Sequence, residues 1–220
     1  MSKAGAGELG GARRAVICDF GGVLTSPLLG GFAAVQERSG ASAEQLSAAM
    51  ASVTEATGTH PLFELEKGRI RESDFLELLE GELEGEVTLR GFRDVFFSAL
   101  HPNRAMIDYM LELRGRGLRI ALLTNNVREW EPLWRAKLPK LEETFEVVVN
   151  SAWVGMRKPD PKIYTLTVAQ LGDGLDATEC VFVDDVADNC AAARSLGMHA
   201  VHFVESAQAI GEIEAALASD

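Results

Sequence analysis

The chain has few cysteines, and none of them lies in a metal-binding motif. Its three cysteines, Cys18, Cys180 and Cys190, cannot all pair within one chain, and no Cys-x-x-Cys spacing occurs. The four histidines show no ligand spacing either. Reduced thiols are therefore expected, which favours a cytoplasmic protein over an exported one.

Basic residues and long apolar runs are also scarce. Twenty-one Lys and Arg residues face 33 Asp and Glu residues, giving a net charge of −12 at pH 7. This charge repels phosphate backbones and anionic membrane surfaces, so neither nucleic acid nor membrane is expected as a partner. The longest uncharged stretch, Phe20 to Gln36, contains Pro27 and several glycines and is predicted to be loop. Residues 1–13 lack the apolar segment of a signal peptide and are expected to form a flexible tail.

The remaining composition is that of an ordinary globular protein. Of 220 residues, 47% are hydrophobic and 25% are charged. Five short apolar runs are rich in β-branched residues. A long helical segment follows the first run, and helical patterns separate the later ones. This alternation predicts an α/β fold, a Rossmann-like parallel sheet with helices on both faces. The predicted strands are Ala15–Phe20, Arg119–Thr124, Glu146–Val149, Val181–Asp184 and Ala200–Val204.

One long segment, residues 26–98, contains no convincing strand and is predicted to be an all-helical insertion after the first strand. Ser42-x-x-Gln45 and Asp74-x-x-Glu77 each have the spacing of a helix capping box. Nine acidic residues between Glu64 and Glu86 are interpreted as a solvated helix face. The predicted organisation is a core of residues 14–25 and 99–220 with residues 26–98 as a helical cap.

Polar residues stand at or just after four predicted strand ends, where open parallel sheets bind their ligands. They are Asp19, Thr124, Lys158 and the pair Asp184-Asp185. A carboxylate beside glycines can be a nucleophile, because the small residues let backbone N–H groups approach an oxyanion. A hydroxyl and an ammonium suit phosphoryl oxygens, and a carboxylate cluster suits Mg²⁺. Together these groups are typical of metal-assisted phosphoryl transfer.

Each signal taken singly also has a structural explanation. Thr124 can be a helix N-cap, and Lys158, before a proline, can be a surface lysine in a turn. The pair Asp184-Asp185 can cap the following helix. The order and spacing of the four motifs favour the functional interpretation.

This order, with the blocks GMRKPDPKIY and VFVDDVADN, resembles the haloacid dehalogenase superfamily from about Arg14 to the end. The chain is most similar to the small-cap branch that contains the phosphatase domain of soluble epoxide hydrolase and the α-D-glucose-1-phosphate phosphatase. The resemblance implies a Mg²⁺-dependent phosphatase of a small phosphorylated metabolite. It makes Asp19 the nucleophile that forms an aspartyl-phosphate, and Lys158 the group that offsets its charge. The other implied site residues bind phosphoryl oxygens (Phe20, Gly21, Thr124, Asn125, Lys158), bind the metal (Asp19, the Gly21 carbonyl, Asp184, Asp185) or support the site (Asp188, Asn189).

The chain departs from the family pattern at one position. The usual motif is Asp-x-Asp, whose second carboxylate protonates the leaving oxygen, and here that residue is Gly21. General acid help is worth about 10² to 10⁴ in rate, so its loss weakens catalysis without abolishing it. Two alternatives therefore stay open. A 2-haloacid dehalogenase needs no acid for a halide, and a phosphometabolite-binding protein needs no turnover.

Overall fold

The computed structural model describes residues 12–83 and 87–219, and it contains a five-stranded, fully parallel sheet. The strand order is β3-β2-β1-β4-β5. The central strand is β1, and successive strands are added first on one side of it and then on the other. Ligands bind at such a switch point, beyond the carboxyl ends of the strands. The predicted α/β fold is confirmed. The strands are β1 (Ala15–Cys18), β2 (Arg119–Thr124), β3 (Val147–Asn150), β4 (Cys180–Asp184) and β5 (His199–His202).

The sheet is buried on both faces, as its near-continuous apolar strands require. Alternate residues of β1 point to opposite sides: Val16 and Cys18 join one apolar cluster, and Ala15 and Ile17 join the other. All three cysteines are buried as free thiols. No helix in the described part of the chain is both long and apolar enough to cross a membrane.

Twelve helices occur in the described residues, and five of them lie between β1 and β2 before the crossover helix α6. Apolar residues of these five helices belong to the same cluster as one face of the sheet, so the insertion and the sheet share a continuous core. The helices are α1 (Leu29–Ser39), α2 (Ala43–Thr57), α3 (Pro61–Glu66), α4 (Glu72–Glu82), α5 (Phe92–Ala99), α6 (Arg104–Gly115), α7 (Glu131–Arg135), α8 (Leu141–Thr144), α9 (Ser151–Val154), α10 (Pro161–Leu171), α11 (Ala187–Ser195) and α12 (Ser206–Leu217).

The two ends of the helical insertion lie side by side. Thr25 and Pro102 form an antiparallel bridge, and the Ser26 N–H donates to the carbonyl of His101 at 2.7 Å. The Asn103 side chain donates to the carbonyl of Val23 at 2.9 Å. The chain therefore leaves and rejoins the sheet at one place, next to the end of β1.

Local capping decides the helix starts, and here one prediction holds and one is wrong. The box at Ser42 and Gln45 opens α2 as expected. The helix predicted to begin at Asp74 starts earlier, at Glu72, and the Asp74 carboxylate accepts from the backbone N–H of Arg71 at 3.2 Å. Asp74 thus lies inside the first turn, where a carboxylate also suits the helix dipole.

Residues 1–11 of the predicted tail lie outside the described residues. So do residues 84–86 of the acidic run, which include two of its glutamates. Within the described part, the interpretation of this run as a solvated face is wrong at Glu72. That side chain is buried, and it accepts hydrogen bonds from the Trp130 indole at 2.8 Å and from Arg93 at 3.0 Å.

Candidate active site

Asp19 follows the last residue of β1, and its carboxylate meets the buried ammonium group of Lys158. The Lys158 Nζ donates to Asp19 Oδ1 at 2.6 Å and to Asp184 Oδ2 at 2.6 Å. A third bond, at 2.9 Å, goes to the carbonyl of Leu123. Lys158 is only 1% exposed, so it is not the surface lysine of a turn. Three residues far apart in sequence thus form one buried charge cluster at the carboxyl edge of the sheet.

Asp184 is held in place by groups on both sides. Its Oδ1 accepts from the backbone N–H of Val186 at 2.8 Å, and the Asn189 side chain donates to both carboxylate oxygens at 3.0 and 3.1 Å. Asp184 therefore contacts both Lys158 and the backbone of Val186, the residue before α11. Asp188, the other expected supporting residue, is exposed.

Asp185 completes a group of three carboxylates. One oxygen atom each from Asp19, Asp184 and Asp185 lies within 4.8 Å of the others. Hard oxygen ligands in such a group fit Mg²⁺, which binds through few carboxylates and retains waters. Three carboxylates against one ammonium also leave a net negative charge, which a divalent cation would balance.

The loop that carries Lys158 is attached to the end of β2 by Asn125. The Asn125 side chain accepts from the Lys158 backbone N–H at 2.8 Å and donates to the Lys158 carbonyl at 3.0 Å. These two hydrogen bonds commit the Asn125 side chain to holding the backbone of Lys158. A phosphate-binding role of Asn125 therefore falls to its backbone N–H.

Thr124 ends β2 and is only 1% exposed. It does not cap a helix, because the short helical turn that follows has Val127 at its N-cap. The Asn126 side chain donates to Thr124 Oγ1 at 3.5 Å, and the Asn126 backbone N–H donates to Ser151 Oγ at 3.0 Å. Neither Asn126 nor Ser151 is identifiable as a site residue from the sequence, although both follow predicted strands.

The residues after Asp19 differ in what they offer to a ligand. The Phe20 ring packs against Trp134 with ring centroids 5.7 Å apart, so only the Phe20 backbone can face a ligand. The backbone N–H groups of Phe20 and Gly21 donate to no protein acceptor in the described part of the chain. Gly22 has φ +78°, and a Cβ atom there would lie 2.1 Å from Asp185 Oδ2. Glycine is therefore needed at position 22 both for the turn and for the carboxylate beside it.

Burial and mutual repulsion shift the pKa values of this cluster. Burial raises the pKa of Asp19 from 3.8 to about 7, with Lys158 opposing the shift and Asp184 adding to it. Burial and Asp184 also raise the pKa of Asp185. Burial alone would lower the pKa of Lys158, but the Asp184 and Asp19 carboxylates raise it above its ordinary value. Lys158 is thus a permanent cation, and the carboxylates hold more negative charge than it can balance.

The site thus combines buried carboxylates with a buried lysine at the switch point of a parallel sheet. The model of the haloacid dehalogenase-like hydrolases matches residues 13–197, and the chain belongs to this family. The resemblance inferred from the four motifs is confirmed.

Three similar proteins illustrate the relationship. The sesquiterpene phosphatase astK of Aspergillus oryzae is 30% identical over 65% of this chain and 72% of its own length. Bifunctional epoxide hydrolase 2 of Rattus norvegicus is 27% identical over 70% of this chain but only 30% of its own length. A haloacid dehalogenase family enzyme of Bacteroides thetaiotaomicron, solved with magnesium and inorganic phosphate, has a TM-score of 0.65 at 21% identity, covering 86% of this chain and 93% of its own. A further relative, acyl-CoA dehydrogenase family member 10 of Mus musculus, is matched over only 14% of its own length.

Proposed function

We propose that the protein is a Mg²⁺-dependent phosphatase of small phosphorylated metabolites, with Asp19 as the nucleophile. The observation that carries the proposal is the Lys158 ammonium, which lies 2.6 Å from both Asp19 and Asp184 in a buried carboxylate cluster. The phosphatase relatives within the family support the same chemistry. Residues 26–98, inserted directly after the nucleophile's strand, would act as the cap over the site.

Each site residue has a separate role in the proposed reaction. Lys158 holds Asp19 Oδ1, so the other carboxylate oxygen is the one that attacks phosphorus. A bond forms between Asp19 and phosphorus while the bond from phosphorus to the leaving oxygen breaks. Water then attacks the phosphorus of this aspartyl-phosphate and releases inorganic phosphate and the free carboxylate. The Phe20, Gly21 and Asn125 N–H groups and the Thr124 hydroxyl would bind the phosphoryl oxygens.

The metal would be held by Asp19, Asp185 and the Gly21 carbonyl, with Asp184 in support. Bound there, Mg²⁺ neutralises charge on the phosphoryl group and on the carboxylates. Burial raises the pKa of Asp19, and the carboxylates of Asp184 and Asp185 add to the rise, so a bound cation would relieve their repulsion.

Position 21, where the family pattern has an acid, carries no side chain in this protein. The groups that influence the charge of Asp19 are Lys158, Asp184 and Asp185, all committed to the cluster. At position 21 an added Cβ atom would meet the Leu28 methyl groups at 3.0 and 3.1 Å, so hydrocarbon fills the space beside the glycine. We infer that the leaving group carries its own negative charge.

We accordingly expect a steep dependence of rate on the leaving group. Aryl, acyl and anomeric phosphates should exceed phosphates of primary alcohols in kcat/KM by about 10² to 10⁴, the usual contribution of a general acid. Glucose-1-phosphate against glucose-6-phosphate, with chemistry rate-limiting, is a direct comparison. Gly21→Asp combined with Leu28→Ala should narrow the ratio, because the second change makes room for the new carboxylate. Equal values in the wild-type protein would mean that another group supplies the proton.

Gly22 provides a test of the metal site that spares every proposed ligand. Gly22→Ala should raise the Mg²⁺ concentration needed for half-maximal activity by about 10-fold to 100-fold, since the methyl group displaces Asp185. Gly58→Ala is the matched control. Gly58 has φ +75° against +78° for Gly22, but nothing lies within 4 Å of its added Cβ. Equal Mg²⁺ requirements in the two variants would separate Gly22 from the metal site.

Phosphate release from p-nitrophenyl phosphate and a panel of phosphorylated metabolites, with Mg²⁺ and with a chelator, tests the proposal. Activity should require Mg²⁺, and Asp185→Ala should lose it at moderate Mg²⁺. Full activity in chelator would reject the metal-dependent mechanism. Chloride release from 2-chloropropionate would then identify a dehalogenase, and binding of phosphates without any turnover would identify a binding protein.

A further inference from the structure

One ion pair joins the helical insertion to the loop that carries Lys158. The Nε of Arg157 donates to Glu66 Oε2 at 2.6 Å, with the two side chains 21% and 15% exposed. The Arg157 guanidinium also lies over the Phe63 ring, 3.9 Å from its centroid. Phe63 and Glu66 both belong to α3 of the insertion, and Arg157 directly precedes Lys158. The residue that pairs with the insertion is therefore the direct neighbour of Lys158 in the chain.

The end of α3 and the turn after it also contact the segments that directly follow β2 and β3. Ser151, directly after β3, donates its hydroxyl to the Glu66 carbonyl at 2.6 Å. Gly68 packs so closely on the chain at Ala152 that an added Cβ would lie 2.2 Å from the Ala152 carbonyl. Arg128, after β2, donates to the same carbonyl at 3.1 Å and to the Gly68 carbonyl at 3.5 Å. The turn after α3 therefore packs against the segments that follow β2 and β3, on the side of the site where Lys158 lies.

The ion-pair partner of the Glu66 carboxylate is Arg157. Burial raises the pKa of its carboxyl group, and Arg157 opposes the shift. Glu64, on the same helix, differs in its partners: it pairs with Lys67 and with Arg69, both within the insertion. Glu66 is thus the acidic residue of α3 whose ion pair reaches the core, and Glu64 is its natural control.

We propose that Glu66 and Arg157 are positioning residues, which hold Lys158 in place against Asp19 when the insertion is docked. The proposal rests on the proposed phosphatase function for its kinetic part. Loss of either side chain would leave Lys158 attached through Asn125 but free of the insertion, and small displacements of a positioned group are costly in rate. The lysine would then contact Asp19 in a smaller fraction of molecules.

Kinetics on a small set of variants test this. Glu66→Ala and Arg157→Ala should each lower kcat for p-nitrophenyl phosphate by about tenfold at saturating Mg²⁺, with little change in KM. The double variant should lose no more than the worse single variant, because the pair acts as a unit. Glu66→Gln should recover most of the loss, since its amide oxygen still accepts from Arg157. Glu64→Ala should behave as wild type.

Hydrogen exchange without substrate separates this proposal from the proposed function. The backbone amides of Lys158 and Asp160 should exchange faster in Glu66→Ala and not in Glu64→Ala. Unchanged exchange, additive kinetic losses, or an equal loss in Glu64→Ala would overturn the positioning role. A wild-type protein that releases no phosphate would instead reject the phosphatase, and the exchange data would still decide whether this ion pair holds the loop.

Discussion

Asp19→Asn is expected to reduce phosphate release at least about 10³-fold, the scale of loss seen when a nucleophile is removed. The carboxamide keeps the shape of the side chain, but it cannot form the bond to phosphorus. The fold should persist, because Lys158 retains the Asp184 carboxylate at 2.6 Å. Phosphate release at saturating Mg²⁺ and the free energy of unfolding are the two measurements.

Asp108→Asn is the matched control for this change, because Asp108 is an exposed aspartate of α6 with no assigned role in the site. It should keep wild-type activity. If Asp19→Asn retained more than a small fraction of the activity while folded, Asp19 would not be the nucleophile.

Lys158→Met should cause the largest loss of stability among these variants. The change keeps the length of the side chain but leaves the buried Asp19 and Asp184 carboxylates without their cation. Removing one partner of a buried ion pair costs about 3–5 kcal/mol. We expect a loss of this size in the free energy of unfolding, measured in chelator at pH 8, together with loss of phosphatase activity.

The pH dependence of this loss follows from the raised pKa of Asp19. In the metal-free protein that pKa is about 7 against an ordinary 3.8. The folded protein therefore holds a proton that the unfolded chain has lost, and stability falls as the pH rises between these values. Without Lys158 the pKa of Asp19 rises further, which extends the fall above pH 7. The destabilisation by Lys158→Met should thus be smaller at pH 6 than at pH 8.

Lys67→Met provides the comparison, since Lys67 pairs with Glu64 within the insertion and its side chain is 21% exposed, against 1% for Lys158. Ion pairs that keep contact with solvent contribute about 0–1 kcal/mol, so this variant should stay close to wild type at both pH values. An equally small effect of Lys158→Met in chelator would contradict the buried charge cluster.

The sheet could be predicted from the sequence because its strands are short apolar runs that fit few other structures. The bounds of β2 agree with the prediction, whereas β1 ends at Cys18, two residues early. The four strand-end motifs could be placed together because carboxyl ends of parallel strands share one edge. That argument predicts that Asp19 lies near Asp184 without any knowledge of side-chain contacts.

The contacts between the insertion and the core could not be predicted in this way. Glu66 and Arg157 are 91 positions apart, and nothing in a run of acidic residues shows which member faces a distant arginine. The same holds for Leu28, whose side chain fills the space beside Gly21. Such pairs depend on how the helices pack on the sheet, and periodicity gives only the apolar face of each helix.

Trapping the covalent intermediate tests the central claim most directly. The protein is mixed with p-nitrophenyl phosphate and Mg²⁺, quenched in acid during turnover, treated with borohydride and analysed by peptide mass spectrometry. Borohydride reduces an acyl phosphate to the alcohol but leaves a carboxylate unchanged, so an aspartyl-phosphate at Asp19 should appear as homoserine at position 19. Unmodified Asp19 in a sample that turns over, with the label on another residue or on none, would contradict the account.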